Sequence, residues 1–449
     1  METIQKNLTE LSDQIKKHHL DGEVSYKSDH SNMIRAGRSQ ISLNVTETRE
    51  LYSIELYKNK KMITGSAINK NEASAMIDDL SKKIDHMPEI SFLTPIEPLN
   101  GTNKKNDHFD PSLENINSQI MVDIYKKADE LFIKKDKHNH ISGSFSSGSY
   151  SYGIINTKTK EPLYHKGSDF NGEIVVQINS HDKKEIQKLM VGETMNDLDL
   201  NFQELENLYE YTTTTPYKKL SEGKYDVILS AEAMGELCAY FLWISSGESK
   251  EYGQSYLNDQ RKVGDQLFGK NFTIADAPST HPLFKRPFGQ NGFRHTDRHL
   301  LKNGVLVDLT YADKMTCDRF NKKMNSCSQG EYNLMVEGGT GPNDQSAMIK
   351  SCKTPTIFIN FLHYLNFTNT TKAEITGTSR FGTFLIENGK VTHNLEKVRL
   401  LDNFFNLFNN IEWLSSKVVN ISATNSYGFR SPFGISVPQY VKINNVSLS

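Results

Sequence analysis

Leu8, Leu11 and Ile15, with Lys16 beside them, recur at helical spacing through an otherwise polar N-terminal stretch. This pattern predicts an amphipathic first helix ending near His18–Leu20, with Asp21-Gly22 as the stop. Three extended runs follow, Glu23–Asp29, Gln40–Val45 and Leu51–Tyr57; the last alternates Leu51, Ser53, Glu55 and Tyr57 against Tyr52, Ile54 and Leu56. A short run, Lys61–Ala67, leads to a second predicted helix from Asn71 to about His86, with Asn71 as N-cap and Ala75, Ile77, Leu80 and Ile84 as its apolar stripe. A helix, antiparallel-looking strands and another helix imply an α+β layer.

The proline-punctuated stretch Met87–Ser112 reads as a surface loop. Beyond it the pattern predicts a helix over Asn115–Lys134, a hairpin-like Ser/Gly/Tyr stretch over His140–Asn156, a strand over Asn171–Asn179 and a helix over Leu198–Thr212. The run Thr212–Pro216 marks a boundary between a domain of residues 1–215 and one of residues 222–449. The second is strand-rich, with runs at Gly304–Thr310, Asn333–Val336, Ile357–Asn366, Ala373–Gly377, Gly382–Glu387 and Lys390–Asn394. A late helix, Asp402–Asn410, precedes strands near Lys417–Thr424 and Gln439–Val446. One segment breaks this monotony. The β-type run Tyr225–Leu229 passes through Ser230 into a helix whose second half, Leu237–Ile244, is eight apolar residues without a break. A helix apolar on all sides is buried in a core. The expected fold is therefore α+β: an N-terminal α/β layer domain, then a β-rich domain, barrel- or sandwich-like, around one buried helix.

Length and charge narrow the function classes. A chain of 449 residues suits two domains. With 52 basic and 54 acidic residues it has no field to draw nucleic acid or an anionic membrane. The N-terminal stretch has no apolar signal-type region, and no apolar run approaches the roughly 20 residues of a spanning helix. Four cysteines without a Cys-x-x-Cys pair read as unbridged, mostly buried thiols. These features together suggest a cytoplasmic protein.

Few residues offer chemistry. His295-Thr-Asp-Arg-His299 is the one sharp metal candidate, since two histidines at i and i+4 share a helical face. Its Pro/Gly-rich flanks argue against a helix, and in a strand the two would stand roughly 13 Å apart. His295, Asp297 and His299 within Phe288–Leu300 are nevertheless the place for a stand-alone hydrolytic site. Gly338 and Gly339 open a Gly-Gly-Thr-Gly-Pro loop that lacks the Lys-Ser/Thr of a phosphate cradle but could form a lip over a peptide groove. Arg380 and Glu387 could contact a partner or a peptide terminus.

The order Tyr225–Ser246, GKNFTIADAP (Gly269–Pro278), KNGVLVDLTYAD (Lys302–Asp313), TGTSRFGTFLIENGKV (Thr376–Val391) and SPFGISVPQYVKINNVSLS resembles the TldD/TldE (PmbA) family, long labelled modulators of DNA gyrase. The resemblance implies a fold whose catalytic members hold zinc through HExxxH and a late cysteine. Here the two histidine positions fall on Ala239 and Ile244, the glutamate on Tyr240 and the cysteine near Thr424. Such side chains supply almost none of the required donors. By resemblance the chain is similar to TldE, a non-catalytic subunit that joins TldD to cleave unfolded peptides. This implies no catalytic residues and no cofactor of its own, zinc only in a TldD-type partner, and assembly with that partner or with itself as a homodimer. A homodimeric peptide-binding protein without catalysis is the further alternative.

Overall fold

The computed structural model describes residues 2–104, 109–178, 184–328, 333–395, 397–421, 430 and 432–449. Its first half contains helix α1 (Glu2–Lys17), strands β1 (Asp21–Gly37), β2 (Gln40–Lys58) and β3 (Lys61–Ala67), and helices α2 (Lys70–Lys83), α3 (Pro111–Glu114) and α4 (Ser118–Lys135). Strands β4 (His140–Asn156), β5 (Leu163–Ile178) and β6 (Lys184–Gly192) and helix α5 (Gln203–Thr214) complete it. The six strands form one antiparallel sheet in the order β3-β2-β1-β4-β5-β6. Leu8, Leu11 and Ile15 of α1 and Ile77 and Leu80 of α2 pack on Val24, Ile54 and Leu56, covering one half of the sheet. Ile124 and Phe132 of α4 and Leu205 and Leu208 of α5 cover the other, against Phe145, Ile174 and Ile186.

Three expectations change here. Helix α2 starts earlier than its stripe implied: Asn69, not Asn71, is the N-cap, its side chain accepting the Glu72 N–H at 2.9 Å. Ala73 joins Ile77 and Leu80 in the core, while Ala75 is exposed. The stretch His140–Asn156 is one strand and not a hairpin, paired along most of its length with β1 and β5. Its small residues are required by that central position: a Cβ on Gly148 would stand 2.0 Å from the His30 carbonyl oxygen.

The second half contains strands β7 (Tyr217–Lys218) and β8 (Gly223–Ser230), helices α6 (Ala231–Trp243) and α7 (Gly247–Glu251), then β9 (Ile274–Asp276), β10 (Arg298–Lys302), β11 (Val305–Leu306), α8 (Lys314–Arg319), β12 (Asn333–Val336) and α9 (Gln345–Ser351). It ends with β13 (Thr356–Asn369), β14 (Glu374–Glu387), β15 (Lys390–Leu395), β16 (Arg399–Asn403), α10 (Phe404–Asn409), β17 (Ile411–Leu414), β18 (Val418–Ile421), β19 (Gly434–Pro438) and β20 (Tyr440–Leu448). Strands β13-β8-β20-β16-β14 form a barrel, closed by the pairing of β13 with β14. A second sheet, β11-β10-β9-β12-β19-β18, lies across α6 from it. Gly235 permits that sandwiching, since a Cβ there would come within 1.9 Å of Cδ1 of Ile421 on β18. The late helix is shorter than predicted because Asp402 and Asn403 extend β16, and Asn403 caps α10.

Polar contacts lock the halves together. Arg430 donates its backbone N–H to Asp29 at 2.6 Å and its guanidinium to Asp169, Ser31 (3.0 Å) and Ser146 (2.6 Å), all on the β1-β4-β5 face. Nearby, the Arg286 guanidinium lies 5.2 Å over the Tyr150 ring, and the Tyr152 hydroxyl donates to the Phe288 carbonyl at 2.8 Å. Burial in this interface pushes the His165 imidazole down to about 3 and the Glu193 carboxyl up to about 8. Burial likewise lowers His281 to about 4.

These shifts have opposite linkage. Below the unfolded histidine value of 6.5 the unfolded chain takes up protons that native His165 and His281 refuse, so stability falls with acidification. Above the unfolded carboxyl value of 4.5 native Glu193 keeps a proton that the unfolded chain releases, so stability falls as pH rises towards 8. Burial raises the Glu23 carboxyl to about 8 in the same way, so two limbs of each sign leave stability nearly flat from about pH 4.5 to 6.5 and falling above it. Denaturant midpoints across pH check this; Glu193→Gln should roughly halve the alkaline slope, and His165→Phe should soften the acid one.

Candidate functional site

Ser230 ends β8 and caps α6, its hydroxyl oxygen accepting the Ala233 N–H at 3.3 Å. The helix then turns Ala233, Met234, Leu237, Cys238 and Phe241 into the core between barrel and sheet. Phe241 is the hub, with the rings of Phe268, Phe404 and Phe408 at 5.3, 5.3 and 5.2 Å. Of the positions aligned with zinc ligands, Ala239 and Ile244 carry no donor atom, and Tyr240 packs its ring 5.6 Å from Phe367. Zinc does not fit here. Thr424 lies outside the described residues. The helix is not buried on every side, however: Ala239 and Tyr240 are half-buried, and Trp243 is 66% exposed. Tyr240, Trp243 and Phe367 form an aromatic surface patch, with Trp243 and Phe367 5.9 Å apart.

Beside the start of α6 a cleft of about 550 Å³ separates the two halves of the molecule. Its walls are two end strands, β6 of the first sheet and β18 of the second, with α5 and the first turn of α6 lining it as well. Ligand sites of small molecules and peptides commonly have this size. The lining is mixed: Leu189, Val191, Leu205, Phe358 and Val419 are apolar, whereas Lys188, Glu204, Glu232, Asn420 and Gln439 carry hydrogen-bonding groups. Glu204 accepts from Gln439 Nε2 at 2.7 Å and from the Tyr440 hydroxyl at 3.3 Å. Gln439 is 8% exposed, yet its Oε1 has no hydrogen-bond partner among the described residues. An unsatisfied buried acceptor costs about 1–3 kcal/mol, and a bound N–H would recover it. Desolvation holds the Glu232 carboxyl above the ordinary carboxylate range. Behind β18, His281 Nε2 meets the Ser436 hydroxyl at 2.8 Å, and that hydroxyl donates to Asn420 at 2.5 Å, fixing one wall of the cleft.

The residues singled out in the sequence are placed elsewhere. His295 and His299 do not converge: His299 is exposed and faces Glu337 at 3.7 Å, while His295 is buried with its Nε2 2.7 Å from Asp276 Oδ2. Asp297 accepts the Ser279 N–H at 2.8 Å. Extended backbone around β10 separates these side chains, as strand geometry demands. Arg380 forms an ion pair with Glu185 of β6 at 2.8 Å, and Glu387 accepts the Thr392 hydroxyl at 2.7 Å beside the Asn388-Gly389 turn. Gly338 and Gly339 pack on Leu414–Ser416, where a Cβ on either would stand 2.8 or 2.7 Å from a carbonyl oxygen. None of these four lines the cleft. Glu204, Glu232 and Gln439 sit in no recognisable motif. The only signal was positional: Glu204 and Glu232 each stand second in a helix, and Gln439 comes just after a strand-ending proline.

The C-terminal portion, residues 222–449, matches the family model described as PmbA/TldA metallopeptidase C-terminal domain. Among curated proteins, a sequence search gives no match. Solved structures share the fold end to end. TldE from Thermococcus kodakarensis is 16% identical with a TM-score of 0.78, covering 99% of this chain and 100% of its own. A proposed modulator of a DNA gyrase from Thermotoga maritima is 18% identical with a TM-score of 0.79, covering 99% of this chain and 100% of its own. A proposed modulator of DNA gyrase from Bacteroides thetaiotaomicron is 17% identical with a TM-score of 0.81, covering 100% of this chain and 99% of its own.

Proposed function

The chain belongs to the PmbA/TldD metallopeptidase family, and from that premise we propose that it is a TldE-like, non-catalytic subunit that holds unfolded peptide for a zinc-bearing TldD-type partner in the cytoplasm. The observation that carries this reading is the pairing of α6, whose aligned histidine positions Ala239 and Ile244 carry no donor atom, with a cleft walled by two end strands. Strand edges bind extended peptides through main-chain hydrogen bonds and so tolerate many sequences, while apolar pockets between them accept alternate side chains. Two surfaces support assembly with a second chain. Ile41, Leu43 and Val45, each 39–40% exposed, alternate along the half of β2 beyond the reach of β3. The Tyr240–Trp243–Phe367 patch covers the outer side of α6. Among the described residues no helix is long and apolar enough to cross a membrane.

The test mixes the purified chain with a TldD-type protein and measures cleavage of an unfolded peptide. Cleavage should require both chains. Asn420→Trp, which fills the cleft from exposed β18, should reduce cleavage at least tenfold without weakening association of the two chains. Equal activity of the partner alone, or an unaffected Asn420→Trp mixture, would count against the reading.

A further inference from the structure

We propose that Asp276, His295 and Cys327 form a zinc-binding centre, separate from the family's metal position and carried by none of the residues of α6. One donor atom from each of the three lies within 4.8 Å of the others. All three residues are buried, at 1%, 8% and 5% exposure. They come from three places in the chain: the end of β9, the segment entering β10, and the loop before β12.

The hydrogen bonds around the group show what it can hold. His295 Nδ1 lies 3.1 Å from the Arg286 carbonyl oxygen. A carbonyl only accepts, so Nδ1 carries a hydrogen and Nε2 points inward. Nε2 faces Asp276 Oδ2 at 2.7 Å, and an ionised carboxylate also only accepts. A cation must therefore bridge them, either a proton or a metal ion. The outer contacts match those that orient ligands in metal sites: a backbone carbonyl fixes the imidazole tautomer, and the Asn333 N–H donates to Asp276 Oδ1 at 3.0 Å.

An imidazole, a carboxylate and a thiolate suit zinc, which takes nitrogen, oxygen and sulfur at tetrahedral positions. Tetrahedral bond lengths imply donor separations of about 3.3–3.6 Å. The His295–Asp276 gap of 2.7 Å must open by about 0.6 Å, and the sulfur, within 4.8 Å of the other donors, must close in by at most about 1.3 Å. On binding, the proton between Nε2 and Oδ2 and the thiol proton both leave, so each ion releases two protons. The fourth position is left to a water. Between β9 and β12 the described chain has only β10, β11 and α8 as regular elements, and the ion would tie both ends of that stretch together.

The experiment uses the full chain, stripped with a chelator and titrated with cobalt(II) and with zinc. One equivalent should bind per chain, and the cobalt form should show a thiolate-to-cobalt charge-transfer band in the near ultraviolet. Cys327→Ser should abolish the band and weaken zinc binding about a hundredfold, whereas Cys317→Ser, used as a control, should leave both intact. If Cys327→Ser fails to fold, His295→Gln provides the same comparison, with the band shifted and the affinity lowered. No stoichiometric uptake by the intact chain, or a charge-transfer band that survives Cys327→Ser, would overturn the proposal.

Discussion

Arg430→Ala is expected to lower unfolding stability by about 3–5 kcal/mol, the cost of leaving the buried Asp169 carboxylate without its cation. Asp29 and Asp169 both have fully buried side chains, and Asp169 depends on Arg430 while Asp29 also holds Arg49 at 2.9 Å. Burial raises the Asp169 carboxyl above its ordinary range and the Arg430 charge pulls it back. Without Arg430 the group takes up a proton more readily, so the deficit should shrink as pH falls. Replacing the pair together, as Arg430→Leu with Asp169→Asn, should recover much of the loss, because the penalty comes from the unmatched charge and not from the missing bond. Denaturant midpoints of the three proteins decide it; a loss below 1 kcal/mol in Arg430→Ala would show that other contacts hold the halves together.

Phe241→Ala should cost about 3–5 kcal/mol, as deletion of a large buried ring does. Besides Phe268, Phe404 and Phe408 it stacks on Tyr256 at 5.8 Å and meets Phe272 at 6.5 Å. Edge-on aromatic pairs add about 0.5–1.5 kcal/mol beyond area burial, so the change should fall in the upper part of that range. Phe241→Leu, which keeps most of the volume, should cost under half as much. The same ring cluster explains why α6 cannot simply regain histidines: an imidazole at Ile244, which is 2% exposed, would lose its hydration in a largely apolar core.

Much of the architecture was legible because burial imposes a period on the sequence. Leu8, Leu11 and Ile15 revealed α1, and the alternation Tyr52, Ile54, Leu56 revealed the covered half of β2. That signal stops where cover stops. Residues Gln40–Glu47 are exposed on both faces, so only the apolar side Ile41, Leu43, Val45 stands out and the pattern predicts a strand ending at Val45. Strand β4 failed for the opposite reason. Covered on both faces and paired on both edges, it selects for small residues such as Gly148, and composition then imitates a turn. The apolar run of α6 predicts burial on all sides, yet it says nothing about which residues escape the core, and Trp243 escapes. The candidate site was almost invisible because it is made between halves: Glu204 and Gln439 meet across 235 positions of chain. Asp276, His295 and Cys327 likewise share no local spacing.

The barrel's closure has a bearing on how the molecule is made. Strand β8 pairs Gly223 with Leu448 at the far end of β20, and Arg430 reaches back to a strand laid down some 400 residues earlier. During synthesis, at about 5–20 residues per second, α6 therefore leaves the ribosome long before its last wall exists. For many seconds a greasy helix and an unlocked sheet wait in water for their partners. The nascent protein is thus at its most vulnerable to misassembly late in translation, and a chaperone that shields the residues after Ser230 would protect it best.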